Sequence, residues 1–415
     1  MSERVAGVPA GTGRIPTLRR AGLVIALVAL VMTAVVVPTL GGVPLWMADF
    51  QVYHEVAKAV FDDVPLYELK VDTATLTGVA FTYPPFSAVV FTPLSWLPAG
   101  FAEVLWTYAS LLGLGVILWI SFGLAGVTAR NRRLRLVVLG MVAAPVLTPV
   151  LMNLMLGQVN IFIVLLVLLD FSRRMPERGR GVLIGVAAGM KLTPLIFIGY
   201  LLCTGRRKSA LRATAAFGGT VAVGFLVLPG DSSAYWLRGL LLDTGRVTDI
   251  SAAVNQSLPG LFARLAGSAT APGWWLPACL VVALLGLLTA RWAHGLGHDL
   301  AGLLVAAFTG LAVAPISWPH HAIWIVPLLA WLSVATWRAG SVLPKVVLTV
   351  VTLWWLVPVY WLSVLGKDTS DLTAGDQVAV ALTSYLTLTA VAVALLPVWL
   401  PRVRVPLEPD VNRSM

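Results

Sequence analysis

Apolar residues dominate the chain in long runs, separated by short polar segments, from Ala21 to Leu400. A helix of about 20 apolar residues crosses the hydrocarbon core of a bilayer, which is about 30 Å thick. The pattern therefore predicts an all-α, polytopic membrane protein with eleven apolar runs: 21–40, 101–126, 134–152, 158–172, 181–203, 210–229, 275–292, 299–316, 320–336, 343–363 and 377–400.

One of these runs, 181–203, is predicted to enter the membrane and return to the same side. Arg-rich segments flank it at both ends, and short loops rich in Lys and Arg stay in the cytoplasm. Pro194 lacks a backbone donor and disfavours helix at the residue before it, and Lys191 interrupts the apolar character. Splitting this run gives about twelve membrane helices, and the break needs a surrounding cavity near Lys191.

Charged residues predict the orientation. Basic clusters recur between spans and near the C-terminus, whereas three predicted extracytoplasmic loops carry mostly carboxylates: 41–100, 230–274 and 364–376. Both termini are therefore predicted to be cytoplasmic. The expected organisation is one transmembrane domain over 21–400, with tails at 1–20 and 401–415.

The segment after the first span is predicted to lie at the outer surface. Residues from Asp49 to Phe61 place apolar side chains at helical spacing, which indicates an amphipathic helix. The stretch from Phe86 to Leu97 is apolar but too short to span, so it is expected at the interface. The run 21–40 has no convincing cleavage site, and we expect it to remain as a span.

Composition excludes a soluble domain. Hydrophobic residues make up 58% of the chain and charged residues 12%, about half the share of about 25% expected in water. The net charge of +10 lies in short clusters between apolar runs, so no nucleic-acid partner is predicted. Cys203 and Cys279 give no disulfide or metal pattern, and His320 and His321 lack the spacing of a helical zinc pair. We predict no metal and no cofactor.

Polar and ionisable side chains within or beside spans are costly and by default mark function. Under the predicted topology they converge at the outer ends of the helices: Asp49, Gln158, Asn160, Lys191, Asn255, Gln256, His320 and His321. A carboxylate, a cation, two imidazoles and several amides suit chemistry on a charged substrate rich in hydroxyl groups.

Each of these residues also has a structural interpretation. Asp49 could cap the helix that follows it, and Lys191 could extend its ammonium group to a lipid headgroup. His320 and His321 could belong to an interfacial aromatic belt with Trp318. A lipid flippase or secondary transporter would also bury polar groups, but such folds commonly pair two broken helices at mid-membrane. This sequence has one break, and its polar residues gather at the outer face.

Six segments, taken in order, resemble glycosyltransferase family 87, a family of GT-C membrane enzymes from actinobacteria. They extend from Asp49 to Trp324: Asp49 itself, Tyr83-Pro84-Pro85-Phe86, Gly157-Gln158-Val159-Asn160, Gly189-Met190-Lys191-Leu192-Thr193-Pro194, Asn255-Gln256-Ser257 and Ser317-Trp318-Pro319-His320-His321. The resemblance implies the GT-C fold in a bacterial inner membrane, with the active site facing the periplasm.

The sequence is most similar to the α-1,2-mannosyltransferases of phosphatidylinositol mannoside synthesis within that family. That similarity implies an inverting enzyme with polyprenyl-phosphate mannose as donor and a phosphatidylinositol mannoside as acceptor. A mannosyltransferase acting on lipomannan and a polyprenyl-phosphate arabinofuranosyltransferase remain alternatives, because the sequence separates acceptors poorly.

The resemblance also implies roles for individual residues. Asp49 corresponds to the family's acidic residue and is expected to be the base, and Lys191 is expected to meet the donor phosphate. One of the two histidines, His320 or His321, is expected to be functional. The amides and a tyrosine are chemically suited to sugar hydroxyls: Tyr83, Gln158, Asn160, Asn255 and Gln256.

Overall fold

The computed structural model describes residues 46–62, 64–172, 174–243, 245–247, 249–268, 273–339 and 342–356. Most of them are helical, as the apolar pattern predicts. The α-helices are α1 Ala48–Ala59, α2 Pro85–Phe91, α3 Ala99–Leu124, α4 Arg130–Ala143, α5 Thr148–Leu156, α6 Asn160–Asp170, α7 Val182–Met190, α8 Ile196–Cys203, α9 Arg207–Val227, α10 Pro229–Trp236, α11 Leu258–Leu265, α12 Trp275–Gly295, α13 Asp299–Val313, α14 Ile325–Ala339 and α15 Val342–Leu356.

Four helices of the described part are long and apolar enough to cross a membrane: Ala99–Leu124, Arg207–Val227, Trp275–Gly295 and Pro319–Arg338. A fifth span results if the bent pair of consecutive helices Arg130–Val146 and Thr148–Leu156 is counted as one span. The chain is therefore a multi-pass membrane protein. The full count of twelve stays a prediction, and the runs 21–40 and 377–400, the loop 364–376 and both predicted tails lie outside the described residues.

The run 134–152, predicted as one span, is not a single straight helix. Helix α4 continues as a 3₁₀ turn to Val146, and α5 then begins at Thr148 with its axis bent by 74°. The bend is explained by Pro145 and Pro149, which lack backbone N–H donors and cannot continue the helical ladder. Leu147 between them is extended, with φ −73° and ψ 129°.

The break predicted in the run 181–203 is confirmed. Helix α7 ends at Met190, and Lys191 takes an extended conformation with φ −152° and ψ 131°. A 3₁₀ turn, Thr193–Leu195, then leads into α8. The side chain of Lys191 is thereby released from the helical repeat and is buried within the protein. That the two halves return to the same side of the membrane stays a prediction.

The amphipathic helix predicted after the first span forms as α1, and its position at the outer surface of the membrane stays a prediction. Eight of its twelve residues are buried. Tyr53 stacks on Phe91 with ring centroids 4.5 Å apart, and Phe50 lies 5.3 Å from Trp106. Its apolar side is covered by these contacts, whereas the side chains of Glu55 and Lys58 stay 44% and 43% exposed.

The expected loops contain ordered structure that the apolar pattern does not reveal. Lys70–Val71 and Val79–Ala80 form a short antiparallel pair of strands, a small departure from the all-α class. Helices α10 and α11 lie within the segment 230–274. Ser257 caps α11 by accepting a hydrogen bond from the backbone N–H of Gly260 at 3.2 Å.

Candidate functional site

Gln158 is the centre of a buried hydrogen-bond network. Its side-chain oxygen accepts from the hydroxyls of Tyr83 at 3.0 Å and Tyr53 at 3.3 Å, and from the Asn160 amide at 3.3 Å. With the oxygen directed to these donors, the NH₂ group is left for the carboxylate of Asp49, with which Gln158 also hydrogen bonds. The network thus joins residues far apart in sequence.

Lys191 completes this network from the broken helix. Its ammonium donates to the side-chain oxygen of Asn160 at 2.7 Å and lies 3.5 Å from the Tyr83 hydroxyl. The same nitrogen sits 5.0 Å from the centroid of the Tyr83 ring. A hydrogen-bonded path therefore runs from the Asp49 carboxylate through Gln158 and Asn160 to the ammonium of Lys191.

Asp49 lies in the first turn of α1, and the helix has no side-chain cap. The capping alternative therefore has no support. Burial raises the pKa of Asp49 to about 6, while the Gln158 hydrogen bond and the positive charge of Lys191 act to lower it. At neutral pH the carboxylate is mostly ionised, with a proton affinity close to that of a general base working near pH 7.

The chain approaches this site through two left-handed backbone positions. Met47, which precedes α1, has φ 44° and donates its backbone N–H to the carbonyl of Met155 at 2.8 Å. Gly157, which ends α5, has φ 69°, and a Cβ added there would lie 2.5 Å from Cβ of Phe50. Only glycine permits this close approach, which sets Asp49 beside Gln158.

The two histidines are adjacent to this network. The backbone carbonyl of His320 accepts from the Asn160 amide at 3.1 Å, and its ring is fully buried with both nitrogens unpaired within the described residues. The His321 ring is partly exposed and lies 4.7 Å from the His320 ring, centroid to centroid. Its Nδ1 accepts from the backbone N–H of Trp318 at 3.3 Å, which leaves the proton of the neutral ring on Nε2.

Asn255 and Gln256 are buried, and their side-chain amides donate to backbone carbonyls. Asn255 donates to the carbonyls of Ile250 at 2.9 Å and Pro315 at 3.0 Å, and accepts from the N–H of Ser317 at 2.9 Å. The side-chain amide of Gln256 donates to the carbonyl of Ala253 at 2.9 Å, and its backbone N–H donates to the carbonyl of Ser317 at 2.7 Å. Together they tie the loop before α11 to the segment that carries the histidines.

Sequence reasoning missed two members of the cluster. Tyr53 lies one helical turn after Asp49, so the i, i+4 spacing could have identified it as a neighbour on the same face. Asn153 contacts the carbonyl of His320 at 3.5 Å, and a lone amide in an apolar helix is the signal that could have found it. No three His, Cys, Asp or Glu side chains among the described residues could hold a metal ion together.

Taken together, the apolar helices and this cluster define a multi-pass membrane protein with a charged, hydrogen-bonding site at one end of its helices. The carboxylate and the ammonium are joined by amides and hydroxyls, an arrangement that can accept a proton on one side and hold an anion on the other.

Comparison with known proteins identifies the family. The sequence profile of Glycosyltransferase family 87 matches residues 81–315, more than half of the chain. The protein belongs to glycosyltransferase family 87 and is a membrane glycosyltransferase, which confirms the resemblance. Asp49 and His320–His321 lie outside the matched range. No solved structure matches the chain.

Curated relatives agree with this assignment. The chain is 33% identical over 308 residues, 71% of its length and 72% of the relative's, to the polyprenol-phosphate-mannose-dependent alpha-(1-2)-phosphatidylinositol mannoside mannosyltransferase of Mycobacterium tuberculosis. It is 34% identical over 290 residues, 68% of each chain, to the polyprenol-phosphate-mannose-dependent alpha-(1-2)-phosphatidylinositol pentamannoside mannosyltransferase of Mycolicibacterium smegmatis.

Proposed function

We propose that the protein transfers mannose from polyprenyl-phosphate mannose to a phosphatidylinositol mannoside, forming an α-1,2 linkage with inversion at the anomeric carbon. The relatives named above are mannosyltransferases that depend on the same class of donor. The observation that carries the proposal is the path that joins the Asp49 carboxylate to the Lys191 ammonium through Gln158 and Asn160.

Asp49 acts as the base in this proposal. The acceptor hydroxyl oxygen bonds to C1 of mannose while the bond from C1 to the phosphate oxygen breaks. The hydroxyl proton passes to the Asp49 carboxylate, and the bonding electrons leave with the polyprenyl phosphate. General-base assistance of this kind contributes about 10² to 10⁴ in rate.

Lys191 stabilises the leaving phosphate. Negative charge grows on the phosphate oxygens as the bond to C1 breaks, and a fixed cation in a site of low water content stabilises that change. Its hydrogen bond to Asn160 holds the ammonium in place before substrate arrives. His321 is the second donor, because the contact at Nδ1 leaves its Nε2–H free to reach a ligand. His320 supports the site through its backbone carbonyl and its ring packing.

The remaining polar residues divide into two groups. Tyr83, Gln158 and Asn160 face the space between Asp49 and Lys191 in this proposal and bind sugar hydroxyls. Asn255 and Gln256 act indirectly, since their amides hold the loop that carries Ser317 and the histidines. We infer that the site faces the periplasm and that both termini are cytoplasmic, because the basic clusters lie at the opposite helix ends.

A transfer assay tests the proposal. Purified protein in detergent receives polyprenyl-phosphate mannose and a phosphatidylinositol tetramannoside, and the glycolipid product is measured by mass spectrometry. We expect a product one mannose heavier, with turnover lowered by about 10² to 10⁴ in Asp49→Asn. Asp62→Asn, on an exposed part of the outer segment, is the matched control and should keep wild-type turnover.

Three further results would change the proposal. Transfer of arabinofuranose, or of mannose only to lipomannan, would move the protein to another substrate class in the same family. Movement of labelled lipid across liposomes without product would favour a flippase. Near-normal turnover in Asp49→Asn would remove Asp49 as base, and a larger loss in His320→Ala than in His321→Ala would reverse the roles of the two histidines.

A further inference from the structure

A cavity of about 900 Å³ lies at the opposite end of the helices from the candidate active site. Helix α6 begins at Asn160, beside Lys191, and ends at Asp170 in the cavity wall. The helical segment that starts with Pro319 and His320 likewise ends at Arg338, which also lines the cavity. The 11 residues of α6 span about 16 Å, so the two regions are separate sites.

The cavity has a strong excess of positive charge. Its lining contains three carboxylates and six cationic side chains: Arg180, Arg206, Arg207, Lys208, Arg212 and Arg338. These basic residues fall in clusters that the positive-inside rule assigns to the cytoplasm. Orientation in the membrane needs only that basic residues stay on one side. It does not require six of them to surround one cavity.

The three carboxylates of the lining offset only part of this charge. Asp170 accepts from the backbone N–H groups of Gly181 at 2.7 Å and Leu183 at 3.0 Å. Asp299 pairs with Arg206 at 3.2 Å and also contacts His294. Four cations remain exposed and form no ion pair within the described residues: Arg180, Arg207, Lys208 and Arg338, the last of which donates to the carbonyl of Gly126 at 2.9 Å.

Exposed apolar side chains adjoin residues of the lining along the chain. Leu202, Leu211 and Trp337 are 56%, 71% and 65% exposed, and each is the next residue along the chain from a residue of the lining. Exposed apolar side chains beside a basic cavity match a molecule with a charged headgroup and hydrocarbon chains. A free anion in water would gain nothing from them.

We propose that this cavity binds the phosphate headgroup of an anionic phospholipid from the cytoplasmic leaflet. Arg180, Arg207 and Lys208 pair with the phosphate, and the acyl chains lie along Leu202 and Leu211. The ligand differs from the sugar donor and the glycolipid acceptor, and it enters from the other side of the membrane. This binding site does not depend on the proposed sugar transfer.

Lipid binding to the purified, delipidated full-length chain tests this site. Native mass spectrometry measures the dissociation constant for three probes: phosphatidylglycerol, phosphatidylcholine and inorganic phosphate. We expect phosphatidylglycerol to bind and the other two not to bind. The double variant Arg207→Gln/Lys208→Gln should bind phosphatidylglycerol about thirty-fold more weakly, and the single variant Arg180→Gln about five-fold more weakly.

The matched control is Arg130→Gln/Arg135→Gln, which removes two exposed arginines near the same helix ends but outside the cavity. It should bind like the wild type. Equal weakening in this control would show a diffuse surface attraction and overturn the site. Equal affinity for inorganic phosphate would overturn the lipid assignment. Unchanged binding in both cavity variants would also overturn the proposal, and thermal melting without lipid shows that each variant is folded.

Discussion

Replacement of Asp49 by asparagine should stabilise the protein while it lowers the rate of transfer. Burial raises the pKa of this carboxyl from 3.8 to about 6. A pKa difference of one corresponds to about 1.36 kcal/mol, so the ionised carboxylate costs about 3 kcal/mol of folding free energy at neutral pH. This is an upper bound, because the side chain keeps part of its surface in solvent.

The size of the effect depends on pH. Below pH 3.8 the carboxyl is protonated in both the folded and the unfolded chain, so the cost is absent. It grows as the pH rises through about 6 and is then constant. Asparagine is neutral throughout, so the melting temperature of Asp49→Asn should exceed that of the wild type by several degrees at pH 8 and by about a third as much at pH 4.5.

Tryptophan fluorescence gives the melting temperature, because the chain contains 16 tryptophans. Asp62→Asn, an exposed carboxylate, serves as the control and should melt like the wild type at each pH. A lower melting temperature for Asp49→Asn at pH 8 would refute the reasoning. It would mean that the carboxylate stabilises α1, in the way that a helix-capping side chain contributes about 1 kcal/mol.

Three other substitutions test neighbouring parts of the site. Lys191→Met removes a positive charge that lowers the pKa of Asp49. In a plot of transfer rate against pH, the fall in rate on the acidic side should therefore move to higher pH. An unchanged pH profile would contradict this. Gly157→Ala forces a side chain onto a backbone at φ 69° and against Phe50, and should destabilise by about 1–3 kcal/mol, measured as a lower melting temperature. Asn255→Ala leaves two backbone N–H groups without their acceptor and should lower the melting temperature at every pH. A wild-type melting temperature would show that these Asn255 hydrogen bonds do not stabilise the fold.

The sequence predicts the helical class and much of the cluster for a clear physical reason. Buried polar groups in a membrane are costly, so Lys191, Gln158 and Asn160 stand out in apolar runs, and the structure brings them into hydrogen-bond contact. The proline after Lys191 marks the helix break because a residue without a backbone donor cannot continue the ladder.

Other features depend on tertiary packing that residue spacing does not encode. The apolar spacing of α1 predicts a helix, but the packing of Phe91 and Trp106 against Tyr53 and Phe50 decides how far its apolar side is buried. Asn255 and Gln256 are polar and buried like the members of the cluster. Their identity alone could not show that their amides contact backbone rather than the other predicted site residues.

A structure with polyprenyl phosphate bound is the most direct test of the central claim, that Asp49, Lys191 and His321 form one active site at the outer helix ends. We predict a phosphate oxygen within hydrogen-bond distance, about 3 Å, of Nζ of Lys191, with Nε2 of His321 as a second donor and the Asp49 carboxylate across the sugar site. A phosphate bound only in the basic cavity at the other end of the helices, or away from Lys191, would contradict the account.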